Sequence, residues 1–283
     1  MPRRKPLKVY ATDSGLVVQD GARFRLLGAA ATMDALFSAR DPAAWLRREL
    51  AAAGPARRPS APGAPIQSQE VWAAGVTYLR SRAARVSESR SAGGGSFYDR
   101  VYSARRPEIF FKSTPHRVAA PGGPVRIRGD SRWNVPEPEL VLAVSASGRI
   151  FGYTVGNDMS SRDIEAENPL YLPQAKVYDG SAALGPCLLV DDTPPGPGTG
   201  ISMTIRRAGR LAFSGRTSVG RIHRGFAHLA SYLFRANSFP CGCYLMTGTG
   251  IVPPDAFTLR RGDKVAITIP PIGTLRNTVA SPK

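Results

Sequence analysis

Two glutamates separated by one residue, Glu137 and Glu139, each follow a proline in the stretch WNVPEPEL. Side chains at positions i and i+2 of a strand share one face, so both carboxylates are expected to project to the same side. Proline at these positions suits an edge strand or the start of a strand, where a missing N–H is tolerated. Adjacent carboxylates repel each other, and a divalent cation is the simplest way to satisfy both.

A third carboxylate, Asp158, stands at the end of the apolar run in GYTVGNDMS. Two glutamates and one aspartate supply hard oxygen ligands, which suit Mg²⁺ or Mn²⁺ rather than zinc. Spacing alone leaves two interpretations open. The three residues form a metal site, or the glutamates lie on an exposed strand face with Asp158 in a turn.

Further polar residues lie in two later stretches, YLPQAKVYDG and MTGTGIVPPD. Lys176, in the first, could bind a substrate carboxylate or transfer a proton if it lies near the acidic residues, although its context alone favours a partly exposed structural lysine. In the second, Gly248 lets a ligand approach the backbone and Thr249 offers a hydroxyl donor. A single Gly-Thr-Gly motif is weak, because it lacks the Gly-Lys-Ser/Thr ending of a phosphate-binding loop.

The composition is that of an ordinary globular protein, with 283 residues, 42% hydrophobic and 21% charged. The small, odd number of cysteines, three, favours a reducing compartment. No apolar segment follows the basic N-terminal residues, and no stretch approaches the roughly 20 apolar residues that span a bilayer. We therefore expect a cytoplasmic protein with no membrane association.

A formal net charge of +17 raises the question of nucleic-acid binding. The arginines are scattered along the chain, and no zinc finger, recognition helix or aromatic RNA-binding motif accompanies them. The charge therefore predicts nonspecific adhesion at low salt, and no specific nucleic-acid partner is expected.

Short alternating runs between residues 8 and 27 predict strands joined by Asp-Ser-Gly and Asp-Gly turns. Residues 33–53 show helical spacing around one internal proline, which predicts one or two short helices. A stretch rich in Pro, Ala and Gly follows and is typical of a linker. The pattern predicts a small N-terminal α/β subdomain plus linker over residues 1–68, and a second domain over residues 69–283, for which the family resemblance described below implies a catalytic role.

Most of the apolar patterns in residues 69–283 predict strands, and one amphipathic helix is predicted over about 225–235. The glycine-rich stretch SAGGGS, residues 91–96, predicts a mobile loop or lid. Strands and helices do not alternate as in a doubly wound fold. The fold class predicted is therefore α+β and β-rich, with a curved mixed sheet or β-roll.

Several motifs occur in a linked order: EPEL, GNDMSSRDIE, LPQAKVYDG, LGP and TGTGIVPP. In this order, from about Val71 to Val279, the chain resembles the fumarylacetoacetate hydrolase superfamily. Within it, the stretches VYSARRPEIFFKSTPHR and SSRDIEAENPLYLPQAKVYDG are most similar to the 2-keto-3-deoxy-D-arabinonate dehydratase branch. The resemblance implies a mixed β-sandwich or β-roll and an assembly into a homodimer or tetramer.

The same resemblance assigns roles to individual residues. It implies that Glu137, Glu139 and Asp158 are the ligands of Mg²⁺, with Glu108 and Lys176 as catalytic residues. Contact with the substrate is implied for five residues: Thr77, Phe110, Lys112, Gly248 and Thr249. The implied activity is a Mg²⁺-dependent dehydratase that acts on a 2-oxo acid such as 2-keto-3-deoxy-D-arabinonate.

Departures from the family pattern keep an alternative open. Relatives that hydrolyse carbon–carbon bonds use a His/Glu pair on a lid, and residues 76–100 show no clear equivalent, which disfavours hydrolysis. Leu79 stands where this branch is expected to carry an acidic residue, and His228 where relatives commonly carry glutamate. The alternative is a hydrolase or decarboxylase of acylpyruvate-like or oxaloacetate-like acids on the same fold.

Overall fold

A computed structural model describes residues 5–88 and 95–281 of the chain. Sixteen strands lie within these residues: β1 (Leu7–Thr12), β2 (Gly15–Asp20), β3 (Arg23–Leu26), β4 (Gly54–Ala56), β5 (Glu70–Gly75), β6 (Glu108–Ser113), β7 (Val118–Ala119), β8 (Pro124–Arg126), β9 (Asn134–Val144), β10 (Ile150–Ser161), β11 (Ala182–Val190), β12 (Gly200–Arg207), β13 (Arg210–Ser218), β14 (Cys243–Met246), β15 (Lys264–Ile269) and β16 (Gly273–Ala280).

The helices of the described residues are α1 (Met33–Ser38), α2 (Pro42–Ala51), α3 (Leu79–Glu88), α4 (Gly95–Ser103), α5 (Arg162–Glu167), α6 (Leu172–Lys176) and α7 (Phe226–Leu233). Short 3-10 turns add Pro115–Arg117, Pro169–Tyr171 and Val219–Arg221. None of the helices in this part of the chain has the length and apolar character needed to cross a bilayer.

The strands form two sheets among the described residues. The larger has the order β4-β3-β2-β1-β11-β10-β9-β14-β5-β6, with β7 added against β11, and the smaller has the order β13-β12-β15-β16-β8. Most pairings are antiparallel, whereas β14 runs parallel to β5 and β16 parallel to β8. The predicted β-rich α+β class with mixed sheets is confirmed.

Two hydrophobic clusters define the layers. One lies between the sheets and joins inward residues of the larger sheet, such as Leu142 and Val155, to residues of the smaller sheet, such as Ile267. The other lies on the opposite face of the larger sheet, where α1 and α2 contribute Phe37 and Leu46. The central strands of the larger sheet are thus buried on both faces, which explains why β9 reads as a continuous apolar run after its glutamates.

Local sequence signals set the N-terminal elements. The predicted turns are present, and Gly21 adopts φ +60° in the Asp-Gly turn between β2 and β3. Thr32 caps α1 by accepting from the Ala35 amide, and Asp41 caps α2 by accepting from the Ala44 amide. The prediction of one or two short helices in this region is confirmed, and two are present.

The N-terminal strands join the larger sheet through β1, which pairs with β11. The division near residue 68 stays a prediction, as does the homo-oligomeric assembly. Residues 91–94 of the predicted lid lie outside the described residues, and Gly95 already begins α4.

Candidate active site

The candidate site is built on the β9–β10 hairpin. In its register, Glu137 lies opposite Asp158, and Glu139 lies opposite Gly156. The Ala-Ser-Gly turn that closes the hairpin places Gly148 at φ +79°, a conformation that glycine adopts without steric cost. The two prolines lie in the first part of β9, before the segment that pairs with β14, which agrees with their predicted place at a strand start.

Carboxylate oxygens of Glu137, Glu139 and Asp158 all lie within 4.8 Å of one another, and each residue is at least 95% buried. The prediction that the two glutamates share one face is confirmed. The alternative of an exposed strand face with Asp158 in a turn is wrong, because Asp158 lies inside β10. Such a group of buried oxygens could hold a divalent metal ion.

Lys176, at the end of α6, directs its ammonium into this cluster. Its Nζ donates to Glu137 Oε2 at 2.6 Å, to Ser160 Oγ at 2.6 Å and to Asp158 Oδ2 at 3.1 Å. Only 1% of the residue is exposed, so the interpretation from context alone, a partly exposed structural lysine, is wrong. The ring of Phe110 lies beneath the ammonium, with its centroid 5.6 Å from Nζ.

Lys112, on β6, lies behind the cluster and is fully buried. Its ammonium lies 2.8 Å from Asp158 Oδ1 and donates to the carbonyls of Met159 and Lys176. Burial lowers the pKa of Lys112, and the neighbouring Asp158 carboxylate opposes that shift. In this structure the ammonium contacts protein groups, and its predicted contact with substrate stays a prediction.

Sequence reasoning missed two charged residues of the site, Arg162 and Glu165. Arg162 is 1% exposed and its guanidinium lies 2.6 Å from Glu137 Oε1, while Glu165 Oε1 lies 3.4 Å from Lys176 Nζ. The two residues are one helical turn apart in α5, which follows β10 directly. Their position directly after β10, which carries Asp158, was the available signal, but arginine and glutamate are usually exposed, and burial could not be read from residue type.

The loop after β14 closes the site from another side. The Gly248 amide donates to Glu139 Oε2 at 2.5 Å. Thr77 Oγ1 donates to the Thr247 carbonyl at 2.6 Å, which ties this loop to the end of β5. Thr249 Oγ1 lies 3.3 Å from both backbone groups of Ile251, accepting from the amide and donating to the carbonyl. Direct contacts of Thr77, Gly248 and Thr249 with substrate stay predictions.

The end of β5 brings Glu108 to the edge of the site. Glu108 pairs in register with Gly75, and its carboxylate lies directly over the Gly75 Cα. The next residue, Val76, has φ +51°, a left-handed conformation that costs a β-branched residue about 1–3 kcal/mol. A strained backbone conformation persists only where the surrounding structure fixes it. Here the left-handed conformation of Val76 turns the chain between Gly75 and Thr77.

Two neighbouring cavities surround these groups. The smaller, of about 20 Å³, is lined by Ala74, Gly75, Val76, Ser81, Phe110, Glu137, Glu139, Asp158, Lys176, Gly248 and Thr249. The larger, of about 630 Å³, is lined by Phe97, Tyr98, Val101, Glu108, Asn168, Pro169 and Leu170. Of the ten site residues named from sequence, seven line the smaller cavity, Glu108 lines the larger one, and Thr77 and Lys112 lie behind the walls.

Electrostatics indicate that the carboxylate cluster fits a cation. Burial, together with the charges of Asp158 and Glu137, raises the pKa of Glu139 well above its ordinary range. The Lys176 ammonium and the Gly248 amide oppose this shift without cancelling it. Three converging carboxylates in which one resists ionisation are the arrangement that a hard divalent ion stabilises.

The chain belongs to the fumarylacetoacetate hydrolase superfamily. The family model described as fumarylacetoacetate (FAA) hydrolase, C-terminal, matches residues 71–280. The recognition made from ordered motifs is therefore confirmed.

Individual relatives narrow the comparison. The chain is 48% identical over 218 residues to the Haloferax volcanii protein named "Probable 2-keto-3-deoxyxylonate dehydratase". The matched region covers 77% of this chain and 74% of the relative. It is 44% identical over 214 residues to 2-dehydro-3-deoxy-D-arabinonate dehydratase of Saccharolobus solfataricus, which covers 75% and 72% of the two chains. A solved structure of 2-keto-3-deoxy-D-arabinonate dehydratase complexed with magnesium and 2,5-dioxopentanoate superposes with a TM-score of 0.81 at 32% identity, covering 99% of this chain and 100% of that one.

The two departures from the family pattern lie away from the smaller cavity. Leu79 begins α3 and is 64% exposed. His228 lies on α7, and its Nε2 is 3.1 Å from the Arg105 carbonyl. Neither residue lines the cavity that holds the carboxylates.

Proposed function

We propose that this chain is a Mg²⁺-dependent dehydratase, a hydro-lyase that removes water from a 2-oxo acid such as 2-keto-3-deoxy-D-arabinonate. The observation that carries the proposal is the convergence of Glu137, Glu139 and Asp158 beside Lys176 in one buried cavity. Support comes from relatives at 48% and 44% identity that are named as dehydratases of such acids, and from the magnesium in a similar solved structure.

The three carboxylates are the residues that would hold Mg²⁺, since this ion prefers oxygen ligands and keeps positions open for water and substrate. Bound there, the ion supplies Lewis acidity towards a 2-oxo group and its neighbouring carboxylate, which makes the C3 protons of the substrate more acidic. The Arg162 guanidinium and the Lys176 ammonium each hold one oxygen of Glu137 and so fix the orientation of that ligand.

Glu108 is the group we assign to proton transfer at C3. Glu108 lines the larger cavity, and its carboxylate lies close to Gly75, which lines the smaller one, so this group stands between the two. The Lys176 ammonium is instead held among carboxylate and hydroxyl oxygens, which suits a cation that orders the site. In the overall step the substrate loses a C3 proton and its C4 hydroxyl as water, and a C3–C4 double bond forms.

Activity on 2-keto-3-deoxy-D-arabinonate tests the proposal directly. The purified chain is expected to dehydrate this acid with Mg²⁺ and to stop when EDTA is added. Glu139→Gln removes one ligand charge, and its Kd for Mg²⁺ is expected to rise by at least the roughly 10- to 100-fold that a lost supporting residue costs a metal site. Glu167→Gln, which removes an exposed charge at the end of α5, is the matched control and keeps wild-type behaviour.

Two results would count against the assignment. A chain that cleaves acylpyruvates but dehydrates no 2-keto-3-deoxy sugar acid is a hydrolase, not a dehydratase. For the proton carrier, Glu108→Gln is expected to lower kcat by about 10²- to 10⁴-fold while the Kd for Mg²⁺ stays unchanged. An unchanged kcat in Glu108→Gln would show that another group takes the C3 proton.

A further inference from the structure

The larger cavity adjoins the candidate active site along one face of β6. Phe110 lines the smaller cavity beside the carboxylates, and Glu108, two residues earlier on the same strand face, lines the larger one. Two residues of strand span about 6.6 Å. Since a carbon–carbon bond is about 1.5 Å, this step corresponds to about four or five bonds of a substrate chain. A 2-oxo acid held by its first two carbons at the carboxylate cluster would reach the larger cavity at about its sixth or seventh carbon.

Among the described residues, the walls of this cavity are mainly apolar. Helix α4 contributes Phe97 and Val101, and the turn before α6 contributes Pro169 and Leu170. The described wall also contains Tyr98, Asn168 and Glu108. The Oδ1 of Asn168 accepts the Leu170 amide at 2.9 Å, and Glu108 lies on β6, the strand that also carries Phe110. An alkyl or aryl group would therefore bury more apolar surface against this wall than a hydroxylated chain would.

Two of the wall residues are also exposed to an unusual degree for large hydrophobic side chains. Phe97 is 61% exposed and Leu170 is 83% exposed, and they line the same cavity from two different elements, α4 and the turn before α6. Apolar side chains gathered at the mouth of a concave site mark a place where an apolar ligand group is taken up. The volume of about 630 Å³ falls in the range of about 300–1,000 Å³ that larger small-molecule ligands occupy.

From these observations we propose that the chain acts on 4-hydroxy-2-oxo acids whose carbon chain beyond C4 is extended and apolar, an alkyl or aryl group, in preference to a hydroxylated pentonate. The inference rests on the proposed dehydratase function and specifies its substrate class. The chemistry is unchanged: the C3 proton and the C4 hydroxyl leave as water, and a C3–C4 double bond forms. The additional carbons take no part in bond changes and contribute binding alone.

A chain-length series measures this preference. The full chain with Mg²⁺ is assayed for substrate loss by NMR on 4-hydroxy-2-oxopentanoate, its hexanoate and heptanoate homologues, and 2-keto-3-deoxy-D-arabinonate. Each methylene that enters the apolar cavity is expected to raise kcat/KM by about fourfold. The heptanoate is therefore expected to exceed the hydroxylated pentonate by roughly tenfold or more.

A matched pair of variants locates the effect. Leu170→Asn puts an amide into the cavity wall and is expected to flatten the rise of kcat/KM with chain length. Leu211→Asn makes the same change at another exposed leucine, on β13 and outside this cavity, and keeps the wild-type slope. Equal slopes in all three proteins would place the additional carbons elsewhere and overturn the inference.

The outcomes also separate this inference from the proposed function. Dehydration of the pentonate with no gain from additional methylenes overturns the substrate preference and leaves the dehydratase intact. Failure to dehydrate every acid in the series overturns both. A rise with chain length that Leu170→Asn abolishes supports both.

Discussion

Gly75 is expected to be essential for activity because of the space it leaves, and Gly75→Ala tests this. A Cβ at this position would lie 2.5 Å from Glu108 Cδ and closer still to Oε2, whereas ordinary contacts begin at about 3.4 Å. The backbone of Gly75 is not in a left-handed conformation, so alanine fits the strand itself. The Glu108 carboxylate must therefore move by roughly 1 Å or more, while the fold remains.

A displacement of about 1 Å in a reacting group can lower the rate by about 10²-fold, and we expect a loss of kcat of that order in Gly75→Ala. The assay compares kcat with the midpoint of thermal unfolding. Gly54→Ala, at a glycine of β4 with open space around its Cα, is the matched control and keeps wild-type kcat.

A double-mutant cycle shows whether the effect passes through Glu108. If Gly75→Ala acts by displacing this carboxylate, then Gly75→Ala adds little to the loss already caused by Glu108→Gln. Additive losses, or a Gly75→Ala variant with kcat within a few-fold of wild type, would refute the reasoning.

Three further predictions concern stability, thiols and metal. Lys112→Met removes an ammonium that faces a buried carboxylate at 2.8 Å, and the free energy of unfolding is expected to fall by about 3–5 kcal/mol in urea titrations; an unchanged free energy of unfolding would contradict this. Burial raises the pKa of Cys187 to about 11 and also raises that of Cys243. At pH 8 a thiol reagent should therefore modify only Cys241 quickly in the native chain, and all three cysteines after denaturation. Rapid labelling of two thiols in the native chain would contradict this. Mg²⁺ at 100 times the wild-type Kd should stabilise the wild type by about 2.7 kcal/mol in thermal unfolding and Glu139→Gln by at most about 1.4 kcal/mol, and an equal shift in both would place the ion elsewhere.

Sequence periodicity was sufficient for the parts of the site that lie on one element. The i, i+2 spacing of Glu137 and Glu139 predicted their common face, and the structure confirms it. The pairing of Glu137 with Asp158 depends on the register of the β9–β10 hairpin, which the Ala-Ser-Gly turn and the buried faces set together. The sequence predicted that this part of the chain is mostly strand, but the position of one strand against the other follows from packing of the whole sheet.

Burial of charge was the feature that sequence reasoning could not supply. Lys176 was interpreted from its context as partly exposed, and Arg162 and Glu165 were not singled out, because residue type alone places such side chains in water. Each becomes stable in the interior only through a partner on another segment: the Lys176 and Arg162 cations both reach Glu137 on β9, and Glu165 reaches Lys176. These partners are distant in the sequence, so the network exists only once the fold has brought β9, β10 and the segment from α5 to α6 together.

The charge balance of the buried network links the metal to the substrate under the proposed function. Four buried carboxylates, those of Glu137, Glu139, Asp158 and Glu165, lie among three buried cations, so full ionisation leaves one excess negative charge. A divalent ion alone would turn that excess into one positive charge, and the single carboxylate of a 2-oxo acid would then bring the formal charge to zero. Because uncompensated charge is costly in a buried site, each ligand should bind more tightly when the other is present. The raised pKa of Glu139 fits this balance, since protonation of one carboxylate is the remaining way to neutralise the cluster when no cation is bound.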